Sequence, residues 1–149
     1  HKENKFENAE KHYKELLKIE PKHFNGTYLL GTLFFQQNKL KDAKKVFETA
    51  ILINADHAEL CNNYGATLTQ LGQYKSAINY LQKAVYIDPN YAQAYNNLGA
   101  ALRELREYKK AISFFEKANR LQPNFIDPHL NLGIVFKELG DFKKAIFFF

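Results

Sequence analysis

The sequence predicts an all-α fold, a right-handed α-solenoid built from antiparallel helix pairs. Three observations lead to this prediction. Similar residues recur every 34 positions along the 149-residue chain. Within each period the apolar residues follow the spacing of an amphipathic helix. Small and large residues also keep fixed positions in the period, as they do when similar helix pairs stack and bury one continuous core.

Positions that share a place in the 34-residue period are called a column here. The alanine column contains Ala9, Ala43, Ala77, Ala111 and Ala145. The column of large residues contains Tyr13, Phe47, Leu81, Phe115 and Phe149. A glycine column contains Gly31, Gly65, Gly99 and Gly133. Because glycine and alanine permit close helix contact, these columns predict where paired helices approach each other. The large residues are expected to fill the gaps between units.

The period divides the chain into five parts. Residues 1–23 are predicted to be the second helix of a truncated unit, since Phe6, Ala9 and Tyr13 are in phase and Pro21 follows. Whole units are predicted at 24–57, 58–91 and 92–125, and residues 126–149 form a unit cut within its second helix. The unit from 24 has Ala55 in the proline position, which predicts a looser helix end. We expect the chain to be part of a longer array.

The unit from Ala92 shows how each element is predicted. Its first helix should run from about Ala92 to Leu105, followed by a turn near Arg106-Glu107. Neighbouring units have Gly72 and Gly140 at this turn, as expected for a helix end that needs a left-handed residue. The second helix should run from Tyr108 to Leu121, where Pro123 stops it.

These motifs resemble the tetratricopeptide repeat over essentially the whole chain. Its pattern is a large residue, Leu-Gly and a second large residue, then alanine with an aromatic residue four positions later, then proline. The residues that follow this order in one unit are Tyr95, Leu98, Gly99, Leu102, Ala111, Phe115 and Pro123. The tryptophan that is usual in the family is absent, and its column holds Thr27, Cys61, Tyr95 and His129. The resemblance implies a superhelix whose concave side is lined by the first helices.

A binding groove is predicted on that concave side. The candidate peptide-binding residues are Asn25, Tyr28, Asn62, Asn63, Gln93, Asn96, Asn97, Arg103 and Asn131. Within them, Asn63, Asn97 and Asn131 lie one period apart and form the asparagine ladder. An amide both donates and accepts hydrogen bonds, so it suits the backbone of an extended peptide. The ladder is similar to that of the tetratricopeptide superhelix of the protein O-linked N-acetylglucosamine transferase, where asparagines hold peptide. Alternatively, these asparagines bridge neighbouring helices.

Catalysis and cofactors have little support in the sequence. No glycine-rich phosphate loop and no cluster with metal-ligand spacing occurs, so we predict no enzyme activity, no cofactor and no metal. His23 and His57 share a column and are expected to pack between units. Cys61 and His129 should be buried in the core. A single cysteine excludes an internal disulfide framework and favours the cytoplasm.

The predicted function is a protein–protein interaction scaffold that binds an extended peptide segment in its concave groove. The alternative is a substrate-recruiting arm of a larger enzyme, such as a glycosyltransferase or sulfotransferase, with the catalytic domain outside this chain. A protein or peptide partner is expected, and a small-molecule substrate is not. The net charge is +5, and the lysines fall mostly on the outer side of second helices, a basic face that could attract nucleic acid. No aromatic side chains are interleaved with these lysines, as single-strand binding would require, so the face is interpreted as a solvated surface and nucleic acid is disfavoured. No membrane span is predicted, and the apolar ends predict end-to-end self-association.

Overall fold

The computed structural model describes residues 2–149, with side chains from residue 5 onward. Over residues 2–149 the chain forms nine α-helices and no strand. In chain order they are α1 (Lys2–Ile19), α2 (Phe24–Gln36), α3 (Leu40–Ile53), α4 (Ala58–Gln70), α5 (Tyr74–Ile87), α6 (Ala92–Glu104), α7 (Tyr108–Leu121), α8 (Ile126–Glu138) and α9 (Phe142–Phe148). The predicted all-α solenoid of helix pairs is confirmed.

The helices form two sets. The first helices α2, α4, α6 and α8 each pair with the second helix that follows, namely α3, α5, α7 or α9. Each of α1, α3, α5 and α7 also packs against the next first helix. Consecutive first helices contact one another directly, whereas α3, α5 and α7 make no such contacts among themselves. The first helices are therefore on the inner side of the curved stack, where successive units are closest.

The helix bounds follow the period closely. α7 spans Tyr108–Leu121, as predicted, and α6 ends at Glu104, one residue before the predicted end. The prediction of a looser end in the unit with Ala55 is wrong, because α3 ends at Ile53, in the same column as Ile87 and Leu121. Asn54 Oδ1 accepts a hydrogen bond from the Asp56 backbone N–H at 3.0 Å, and Asp88, in the same column of a unit that has the proline, accepts one from the Asn90 N–H at 2.9 Å.

All four turns within the helix pairs have a left-handed residue in the same column. The φ angles are 58° at Asn38, 73° at Gly72, 58° at Arg106 and 77° at Gly140. In each turn the following backbone N–H donates to a carbonyl five residues earlier, as from Glu107 to Leu102 at 2.9 Å. This is the Schellman ending of a helix. Two residues with side chains adopt it here beside the two expected glycines.

The glycine column marks close contact within each pair, as predicted. A Cβ atom at Gly99 would lie 2.7 Å from Cε1 of Phe115, and one at Gly31 would lie 2.6 Å from Cε1 of Phe47. The large residues therefore pack on the glycine of their own unit as well as between units. Phe47 illustrates both contacts, since its ring centroid is 6.3 Å from that of Tyr64 in the next unit.

The last unit departs from the predicted core. His129 is exposed, so the expectation that it is buried is wrong. Its column mate Cys61 is fully buried in a cluster with Ala84 and Ala94. Ala84 belongs to the last turn of a second helix, and α9 ends at Phe148, before that column is reached. The His129 ring instead lies 6.1 Å from the ring of Phe148.

Among the helices described, none combines the length and the apolar character needed to cross a membrane.

Candidate functional site

The candidate groove lies on the inner face formed by α2, α4, α6 and α8. Asn25 is exposed, and a further group of candidates is half-buried. That group consists of Tyr28, Asn63, Gln93, Asn97, Arg103 and Asn131. Asn62 and Asn96, in contrast, are only 3% and 5% exposed. These two residues are covered by the next first helix, so they lie beneath the groove surface.

The asparagine ladder makes one hydrogen bond per unit to the preceding first helix. Asn97 Nδ2 donates to Asn62 Oδ1 at 2.8 Å, and Asn131 Nδ2 donates to Asn96 Oδ1 at 2.9 Å. Asn63 Nδ2 donates in the same way to the hydroxyl of Tyr28 at 3.2 Å, because Tyr28 occupies the column of Asn62. The ladder therefore bridges neighbouring helices, which was the alternative interpretation from sequence.

The ladder oxygens are also engaged, by a different donor in each unit. Asn63 Oδ1 accepts from Asn62 Nδ2 at 3.2 Å, and Asn97 Oδ1 accepts from Gln93 Nε2 at 3.1 Å. Asn131 Oδ1 accepts from Arg103 Nη1 at 3.3 Å. An amide nitrogen carries two N–H donors and its oxygen has two lone pairs. Each half-buried ladder amide thus has one N–H and one lone pair beyond those it uses here.

Arg103 has partners on both sides of its guanidinium group. Besides its bond to Asn131, its Nη2 lies 2.7 Å from Oε1 of Glu104. Its side chain is 20% exposed. Arg103 therefore positions Asn131 and compensates the charge of Glu104.

Two tyrosines extend the network to the edge of the groove. The Tyr28 hydroxyl donates to Glu59 Oε2 at 3.3 Å, and the Tyr91 hydroxyl accepts from Asn62 Nδ2 at 3.3 Å. Burial, followed by the nearby charge of Glu59, raises the pKa of Tyr91 to about 12. The pKa of Tyr28 is raised for the same two reasons. Both hydroxyls therefore remain protonated near neutral pH.

His23 and His57 have a role that the sequence analysis missed. The Nδ1 atom of His57 accepts from the backbone N–H of Leu60 at 3.2 Å, and His23 Nδ1 accepts from Gly26 at 3.0 Å. Each histidine thus caps a first helix. The His57 ring also lies 5.1 Å from that of Phe24 in the preceding unit, so the prediction that it packs between units is confirmed. The signal for capping was its position immediately before the first helical residue.

Cys61 is fully buried, as predicted, and burial raises the pKa of its thiol. Across residues 2–149, no three or more histidine, cysteine, aspartate or glutamate side chains are grouped so that they could hold a metal ion.

Two sequence families match the chain. The profile described as tetratricopeptide repeat matches residues 53–124. The profile described as anaphase-promoting complex, cyclosome, subunit 3 matches residues 2–84. No curated protein matches the chain in sequence.

Several solved structures are similar over nearly the whole chain. MamA from Desulfovibrio magneticus RS-1 is 28% identical with a TM-score of 0.88, covering 96% of this chain and 81% of that one. YrrB, described as a TPR protein with an unusual peptide-binding site, is 26% identical with a TM-score of 0.81, covering 97% and 75%. PilW, a type IV pilus biogenesis factor, has a TM-score of 0.90 and covers 99% and 68%, but at 22% identity it concerns the fold alone.

Proposed function

Because the chain belongs to the tetratricopeptide repeat family, whose architecture is that of a protein-interaction scaffold, we propose that its concave groove binds an extended segment of a partner protein. The observation that carries this proposal is the asparagine ladder. Asn63, Asn97 and Asn131 recur on one face of successive first helices, and each has hydrogen-bonding capacity left. An extended backbone offers alternating N–H and C=O groups along its length, which a row of amides can match.

The bridging role of the ladder supports recognition. Hydrogen bonds to the preceding helix fix the orientation of each amide before a ligand arrives. Fixing a side chain in advance lowers the entropy that binding must otherwise remove, about 0.5–1.5 kcal/mol for each flexible side chain. The two interpretations of the ladder are therefore compatible: one face of each amide joins the helices, and the other is available to a partner backbone.

The groove floor also favours a close approach of backbone. Ala66 and Ala100 lie three residues after Asn63 and Asn97, on the same helix face, and both are partly exposed. Small side chains next to the ladder leave room for the main chain of a partner. The similar protein YrrB is described as a TPR protein with an unusual peptide-binding site, which supports peptide binding by a fold of this kind.

A selected peptide tests the proposal without a known partner. The probe is a peptide of about 12 residues, roughly 40 Å when extended, enriched from a random-sequence display library on the folded chain. Its affinity is measured by fluorescence anisotropy for the parent and for the triple variant Asn63→Ala, Asn97→Ala, Asn131→Ala. Loss of three hydrogen bonds at about 0.5–1.5 kcal/mol each predicts a drop of at least about tenfold.

The matched control changes the outer face. The triple variant Lys41→Ala, Lys75→Ala, Lys109→Ala also alters one column in three units, and these lysines are exposed on second helices. It should bind the peptide as the parent does. Circular dichroism establishes that both variants are folded. Equal affinity of the parent and the folded ladder variant would refute groove binding.

A further inference from the structure

Charge is divided unequally between the two sets of helices. The second helices α3, α5, α7 and α9 together carry eleven lysines and arginines and only three acidic residues. The first helices carry two cations, Arg103 and Lys137, and four carboxylates. Those carboxylates are Glu59, Glu104, Asp127 and Glu138. The concave side is thus the acidic side of a protein whose net charge is +5.

Glu59 is the carboxylate whose position is best defined by the groove network. Tyr28 donates to its Oε2 at 3.3 Å, which orients the side chain from the preceding unit. Among the described residues, no lysine, arginine or histidine nitrogen lies within 4.0 Å of it. Glu104, in contrast, is paired with Arg103. Glu59 therefore presents an oriented negative charge that the described chain does not compensate.

A cavity of about 400 Å³ adjoins Glu59 at the groove edge. It is lined by His57, Ala58, Glu59, Asp88 and Tyr91. Asp88 likewise has no cationic partner within 4.0 Å in the described part of the chain. An aromatic ring such as that of Tyr91 attracts a cation over its face. Two carboxylates and a tyrosine side chain line one cavity, so the charge of the cavity is complementary to a cation carried on a side chain.

We propose that this cavity receives a lysine or arginine side chain of the segment bound in the groove, so that the groove selects basic segments. The proposal rests on the function proposed above, since the ladder would bind the backbone of the segment while Glu59 and Asp88 would bind one of its side chains. A preference for basic segments is opposite to what the net charge of the chain favours. Long-range attraction to a protein of charge +5 favours acidic ligands, so a preference for basic ones must arise locally.

Three synthetic peptides of about 12 residues, each roughly 40 Å when extended, test the proposal. They alternate serine with lysine, with glutamine or with glutamate. Anisotropy titrations at fixed ionic strength should give the tightest binding for the lysine peptide and the weakest for the glutamate peptide. In the double variant Glu59→Gln, Asp88→Asn, the affinity for the lysine peptide should fall about tenfold, to that of the glutamine peptide.

The matched control is the double variant Asp42→Asn, Glu116→Gln. It changes the net charge by the same amount but alters exposed residues of α3 and α7, and it should keep the full preference for lysine. If the parent chain bound the lysine and glutamine peptides equally, and the ladder triple variant bound neither, this inference would be overturned and the proposed function would stand. Tightest binding of the glutamate peptide would also overturn it. Binding of none of the three would count against both.

Discussion

The Nδ2 atom of Asn97 in α6 donates a 2.8 Å hydrogen bond to Oδ1 of Asn62 in α4. Asn62 is only 3% exposed, so this bond joins two consecutive units beneath the groove surface. The same relationship recurs between Asn131 and Asn96. A residue type that is mediocre in helix interiors is therefore used at these positions to connect one unit with the next.

Replacing Asn97 with alanine should destabilise the fold more than replacing Asn63. Asn97→Ala leaves the buried Oδ1 of Asn62 without its donor, at a cost of about 1–3 kcal/mol. Asn63→Ala removes a bond to the half-buried Tyr28 hydroxyl, and Asn62 keeps its bond to Tyr91, so about 0.5–1 kcal/mol is expected. Urea titrations followed by circular dichroism measure both free energies of unfolding. Equal decreases in the free energy of unfolding would show that the buried Asn97–Asn62 bond stabilises the fold no more than the Asn63–Tyr28 bond.

Arg106→Gly should stabilise the chain. Arg106 has a φ angle of 58°, and a left-handed backbone costs a residue with a side chain about 1–2 kcal/mol. The greater freedom of glycine in the unfolded chain offsets about 0.4–1 kcal/mol of this, leaving a gain of about 0.5–1 kcal/mol. The matched change Gly72→Arg, in the same column, should lower stability by a similar amount. The melting temperatures of the two variants should shift in opposite directions relative to the parent. Shifts of the same sign would contradict a left-handed backbone at this column.

Gly99→Leu should destabilise the chain by about 1–3 kcal/mol, the usual cost of overpacking. A Cβ at Gly99 would already lie 2.7 Å from Phe115, whose ring is fully buried. Ala100→Leu is the control, because Ala100 is the adjacent residue and is partly exposed. The two free energies of unfolding should therefore differ clearly. A Gly99→Leu variant that unfolds like the parent would show that the register of α6 against α7 is wrong.

We predict that the isolated 149-residue chain self-associates in solution through its last unit. Phe149 is 66% exposed, whereas its column mates Phe47, Leu81 and Phe115 are fully buried. Phe142 and Ile146 nearby are also largely exposed. Such an apolar surface favours association, so copies should stack end to end.

Sedimentation equilibrium over a concentration series should show a mass that rises with concentration. The double variant Phe142→Ser, Ile146→Ser should return it towards the monomer mass. A parent chain that remains monomeric throughout the series rules out this interface.

The fold could be predicted because the same pattern of small and large residues recurs in every unit. Columns such as Ala77–Ala111 fix the phase of every helix, and the predicted bounds of α7 are those of the structure. The left-handed backbone at Asn38 and Arg106 was harder to foresee. Residue type alone points to glycine there, whereas the Schellman hydrogen bonds hold other residues in the same conformation.

The exposure of the candidate site residues could be predicted only in part, for a geometric reason. Helical phase shows which side of its own helix a residue occupies, but it does not show which neighbouring helix covers that side. Asn62 and Asn63 therefore looked alike in the sequence, although Asn62 is buried and Asn63 is partly exposed. The exposure of His129 has the same origin, since the second-helix residues that cover Cys61 have no counterpart in the short α9.

Recognition of a partner backbone by the ladder is tested most directly by N-methylation of the peptide. The selected peptide of the groove experiment is compared with a copy whose alternate backbone nitrogens are methylated, which removes N–H donors and leaves the side chains unchanged. The parent chain should bind the methylated copy at least about tenfold more weakly, and the ladder triple variant should bind both peptides weakly. Equal affinity of the parent for the two peptides would contradict backbone recognition by Asn63, Asn97 and Asn131.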